Sequence, residues 1–138
     1  MKKLIQGLIA IAVCFSVCST AMAKEDLYKV KYSKTYVKCL KEAGSSVPEK
    51  DVCITKEMTE IEKLLNDTYA STYAKLNDTA KAQLEASQTA WKQYREESSK
   101  NVIVFLGDKL GPQVTAKQLS IRLTAERIAQ LRMFSKWF

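Results

Sequence analysis

Residues 44–76 read GSSVPEKDVCITKEMTEIEKLLNDTYASTYAKL, and this stretch decides the fold. It opens on turn material, Gly44-Ser45-Ser46. Ser46 and Glu49 then stand at the spacing of a capping box, with Pro48 in the first turn, which is how a helix begins. Behind that cap, Ile54, Met58, Ile61, Leu65, Thr68, Thr72 and Leu76 recur every three or four residues, the period of one buried helix face. From Glu49 to Leu106 the chain has neither glycine nor proline. The flanking clusters, Gly44–Pro48 and Gly107–Pro112, mark loops between long helices.

Before this stretch, the sequence predicts a helix over Leu27–Ala43. There Tyr28, Tyr32, Tyr36 and Leu40 form a stripe at four-residue spacing. Lys31, Lys34, Lys38 and Lys41 cluster on another face. That basic strip reads either as a solvated face or as a contact for an anionic surface. Asn77-Asp78-Thr79 is turn and cap material. It predicts a break, with a third helix from about Thr79 to Phe105. A single helix across 49–106 is the competing reading, because the apolar phase nearly continues. A fourth helix is expected after Pro112, capped by Thr115 and Gln118. Its Leu119, Leu123, Leu131, Phe134 and Trp137 line one face, and Ile121, Ala125 and Ile128 a second. A helix apolar on two sides packs against two neighbours. The expected fold class is therefore all-α, a small bundle of about four helices.

The beginning of the chain reads differently. Met1-Lys2-Lys3 is basic, Leu4 to Val17 is mostly apolar, and small residues precede Ala23. This is the three-part pattern of a secretory signal peptide, 1–23, leaving a single domain over 24–138. The apolar run falls short of the roughly 20 residues of a membrane span, so no anchor is expected after cleavage. Val13 and Val17 precede Cys14 and Cys18, and their bulk argues against a lipoprotein signal. Removing the first 23 residues leaves Cys39 and Cys53. In an oxidising compartment two cysteines pair, and this loop is worth about 3 kcal/mol in the chain-entropy model. The expected place is a bacterial periplasm or the medium outside the cell.

Composition excludes several chemistries. The 138 residues include no histidine. Ser-His-Asp and Cys-His catalysis, histidine-ligated haem and His-containing metal sites are thereby ruled out. No glycine-rich phosphate loop follows a strand. No enzyme activity, cofactor or metal is expected. The formal net charge is +7, and export argues against nucleic acid as the partner.

From Cys39 to Arg132 the chain resembles the LprI-type lysozyme-inhibitor family of small exported bacterial proteins. The resemblance is carried by Cys39 and Cys53, Leu65-Asn66 with Tyr69, and Leu84. It continues through the block Gln88, Trp91, Tyr94, Arg95 and the stretch Arg122-Leu123-Thr124, Glu126-Arg127, Leu131-Arg132. The family pattern has a second cysteine pair, where this chain has Ser98 and Ser99 in one region and Leu119 in the other. The resemblance implies a helical, disulfide-bonded, monomeric binding protein that occludes a lysozyme or another cell-wall hydrolase. Common lysozymes are cationic, so a basic inhibitor calls for a local acidic or aromatic contact patch. Glu57, Glu60 and Glu62 are the acids on offer. An immunity-type protector against a delivered toxin and an envelope-surface module for anionic glycan or lipid are the alternatives.

Two readings attach to Asn66, Tyr69, Gln88, Trp91 and Arg95. One is a polar groove for a partner. The other is a buried hydrogen-bond network between helices two and three, with Trp91 in the core. Arg122 and Glu126, four residues apart, are expected to pair on the helix surface.

Overall fold

The computed structural model describes residues 30–137. Four helices follow one another: α1 (Lys34–Ala43), α2 (Val47–Tyr73), α3 (Asp78–Leu106) and α4 (Leu110–Phe134). No strand occurs among the described residues. The signal segment 1–23 and the tyrosine at 28 lie outside them.

α2 starts where the capping box places it. Ser46 Oγ accepts from the Glu49 backbone N–H at 3.5 Å, and Pro48 lies in the first turn. The expected stripe is the buried one: Ile54, Ile61, Leu65, Thr68, Thr72 and Leu76 are buried, and Met58 packs against them. The break at Asn77 is real. Its Oδ1 accepts from the Ala80 N–H at 2.9 Å, starting α3 one residue ahead of expectation. The single-helix reading of 49–106 is therefore wrong.

Two boundaries differ from expectation. α1 begins at Lys34 rather than Leu27, and residues 30–33 carry no helix. Its start is set from a distance. Ser33 caps the helix by accepting from the Tyr36 N–H at 3.0 Å. Ser33 in turn donates its N–H and hydroxyl to the two carboxylate oxygens of Glu57 on α2, at 3.0 and 2.5 Å. α4 begins at Leu110, ahead of Pro112, and Lys109 provides no side-chain cap. Thr115, expected as the cap, sits inside the helix and donates to the Gly111 carbonyl at 3.0 Å. Pro112 is tolerated because the first-turn N–H groups have no intrahelical acceptor to lose.

α4 is the centre of the bundle. It packs against both α2 and α3, while α1 packs on α2. Ile121, Leu123, Ala125, Ile128 and Leu131 are all buried, as its two apolar faces require. Buried threonines satisfy themselves on carbonyls: the Thr72 hydroxyl reaches Thr68 at 2.8 Å and Leu131 at 3.3 Å. The Cys39–Cys53 disulfide joins α1 to the first third of α2, with the Cα atoms 5.7 Å apart.

Candidate functional site

Three of the motif residues, Gln88, Trp91 and Arg95, meet in one polar cluster, and it lies around α4 rather than between α2 and α3. Arg95 on α3 pairs with Glu62 on α2 and donates to Thr124 Oγ1 on α4 at 2.8 Å. About two turns further back along α3, Gln88 accepts from Arg127 Nε at 2.9 Å. Arg127 also donates to Ser87 at 2.9 Å and to Gln130 at 3.2 Å. Trp91 lies beside both arginines. The Arg95 guanidinium carbon is 4.7 Å from its ring centroid and that of Arg127 is 6.0 Å away, both within cation–π range.

This cluster is a lock. Arg95 bridges three helices, and Gln88 and Arg127 are both buried. None of the described buried side-chain nitrogens or oxygens is left without a partner. Arg127 is unusual in having only neutral hydrogen-bond acceptors. Burial pushes its pKa down, against a smaller upward pull from Tyr69; arginine stays charged regardless. Desolvation of that charge is offset by three hydrogen bonds and the Trp91 face.

Of the residues the sequence singled out, Gln88, Trp91 and Arg95 meet here. Tyr69 is half-buried nearby on α2, and stacks on Tyr73 with ring centroids 5.8 Å apart. Asn66 stands apart, exposed on α2. Arg122 and Glu126 form a surface pair at 3.8 Å, away from the cluster. Sequence reading missed Ser87, Glu62, Thr124 and Gln130 as the partners. One signal was available: Arg127 interrupts the apolar run of α4, and an arginine there must find acceptors.

The acidic patch does not form. Glu57 is 4% exposed and holds Ser33, and Glu62 holds Arg95. Glu60 alone of the three is exposed. The basic strip is also incomplete. Lys34, Lys38 and Lys41 are exposed on α1, but Lys31 precedes the helix, and Lys38 lies 3.8 Å from Glu42.

An open groove of about 660 Å³ lies between residues 31–33, α2 and α4. Tyr32, Leu64, Ile128 and Arg132 line it. Two of its acids are engaged, Glu57 with Ser33 and Asp67 with Lys63 at 2.9 Å, and Glu60 at its edge is exposed. Among the described residues no three His, Cys, Asp or Glu side chains gather to hold a metal ion. No described helix is long and apolar enough to cross a membrane.

The other unusual surface is the end of the α3–α4 hairpin. Residues 104–110 are exposed without interruption. They include Val104 at 75%, Phe105 at 78% and Leu106 at 61%.

Fold and cluster together define a small, disulfide-stapled helical module whose polar motif serves its own packing. The model of the family described as "Lysozyme inhibitor LprI" matches residues 39–131, and the chain belongs to that family. No curated protein and no solved structure matches it significantly.

Proposed function

We propose that this protein is an exported inhibitor of a bacterial cell-wall hydrolase of the lysozyme type. Residues 1–23 would be removed as a signal peptide. The mature chain from Lys24 would act as a monomer in the periplasm or outside the cell, by covering the enzyme's cleft and without chemistry or a cofactor of its own. The observation that carries this reading is the family match, which spans the disulfide and both halves of the arginine–tryptophan cluster. The fold supports it in kind. A chain whose polar motif is spent on packing does its work through its surface, as binding modules do.

The test is to titrate oxidised Lys24–Phe138 into lysozymes of several classes and follow lysis of cell walls at two salt concentrations. Saturable inhibition near one-to-one at both salts is expected. Failure to inhibit any of them, with the chain folded and oxidised, would refute the reading. Binding that vanishes at the higher salt and on changing Lys34, Lys38 and Lys41 to Glu would favour an anionic envelope surface instead.

A further inference from the structure

The geometry points to the end of the α3–α4 hairpin as the part of this protein that enters the hydrolase's substrate cleft, an inference that rests on the inhibitor reading above. Val104, Phe105 and Leu106 are successive residues of a helix, and all three are more than 60% exposed. At about 100° per residue they sweep about 200° of the helix, so the last three residues of α3 stand clear of the bundle. Gly107 then turns the chain at φ 87°, and Leu110, 42% exposed, begins the return. The result is a convex apolar finger. Contiguous exposed apolar residues of this size mark interaction sites on soluble proteins.

Charge at the finger says what it meets. Asp108 is turned back onto α4, accepting from Gln113 Nε2 at 2.7 Å. Lys117 is held by Asp51 at 2.6 Å, and Lys100 by Glu96 and Glu97 at 2.7 and 3.1 Å. Lys109 is exposed, and no hydrogen bond or ion pair of its ammonium occurs among the described residues. The finger thus presents an aromatic and aliphatic tip with the Lys109 ammonium free beside it, while the Asp108 carboxylate keeps its charge but is drawn back onto α4. Enzymes that cleave glycosidic bonds flank the scissile bond with two carboxyl groups in a concave cleft. A single cation beside an apolar tip complements such a cleft even on an enzyme that is cationic overall. An anionic bilayer is the poorer match, because stable electrostatic attachment draws on several free basic residues and the neighbouring lysines are already paired.

The experiment compares the full mature chain with Phe105→Ser/Leu106→Ser and with Lys109→Glu, with Lys34→Glu as a control on the opposite hairpin. The hydrolase used is whichever lysozyme the mature chain inhibits. Circular dichroism and thermal melting confirm that each variant folds. The double variant is expected to weaken inhibition at least 30-fold, Lys109→Glu about 10-fold, and Lys34→Glu less than 2-fold. Full inhibition by both finger variants would overturn the finger while leaving the inhibitor reading intact. A mature chain that inhibits no lysozyme would overturn both. Sedimentation with phosphatidylglycerol vesicles is run alongside. Vesicle binding that depends on Phe105 and Leu106, without inhibition, would replace the cleft by a membrane.

Discussion

The two helix hairpins of this protein are built on opposite principles. The α1–α2 hairpin is held by a covalent bridge, by Ser33 fixed to a buried Glu57, and by the Ser46 cap. The α3–α4 hairpin has no bridge, and Lys109 gives α4 no side-chain cap. α3 is the longest helix at 29 residues, yet only Leu84 and Gln88 are buried along it. Its attachment comes from the arginine–tryptophan lock in its middle, and its end is left in solvent. The second cysteine pair that the resemblance implies would fall in this hairpin, where the chain has Ser98, Ser99 and Leu119. Without it the fold concentrates its restraint at one hairpin and its exposed apolar surface at the other.

Removing the bridge should have the largest effect. Cys39→Ser with Cys53→Ser should lower the free energy of unfolding by about 3 kcal/mol, read from denaturant midpoints at constant slope. Hydrogen exchange should rise mainly over 34–43, because α1 packs on α2 and has few other restraints. Next comes the lock. Arg127→Leu leaves Gln88 and its neighbours without their donor and should cost about 2 kcal/mol. A loss under 0.5 kcal/mol would mean that the cluster does not hold α3 to α4. Gly107→Ala should cost about 1 kcal/mol, because the positive φ penalises a side chain even where space is open.

The smallest effects should be at the finger and at high pH. Phe105→Ser should change thermal stability by less than about 0.5 kcal/mol, since almost nothing is buried there. Tyr36 is buried in the core, and that burial raises its pKa above the ordinary 10.0. A folded pKa above the unfolded value gives stability that is complete below pH 10 and declines as pH rises through the folded value. Tyr36→Phe should therefore flatten the fall in stability above pH 10 relative to the unaltered chain, as measured by urea titration at a series of alkaline pH values.

What could be read from the sequence follows the same division. Local signals were legible: Ser46 with Glu49, Asn77 before its helix, and the stripe from Ile54 to Leu76. Each depends on residues within a turn or two of one another. The disulfide was legible because only Cys39 and Cys53 lie beyond the segment that reads as a signal peptide. The start of α1 was not, because its cap is set by Glu57, 24 residues away. The start of α4 was misplaced because Thr115 and Gln118 imitate a cap, while the hydroxyl actually bonds back to the preceding turn. The lock was half legible. Gln88, Trp91 and Arg95 stand out by type and spacing, but Ser87, Glu62, Thr124 and Gln130 become partners only once α4 lies against both α2 and α3. Glu57 and Glu62 illustrate the limit most clearly: a run of acids resembled a surface patch, and tertiary pairing consumed two of the three.

On the inhibitor reading, the stapled hairpin is framework and the open one meets the partner. Hydrogen exchange of oxidised Lys24–Phe138, alone and with a saturating amount of an inhibited lysozyme, tests it most directly. In the free protein, amides over 53–65 should exchange far more slowly than those over 102–110. On binding, protection should rise at 102–110 and stay unchanged over 34–60. Protection gained along α1 and the start of α2, with 102–110 unaltered, would mean that the stapled hairpin meets the partner instead.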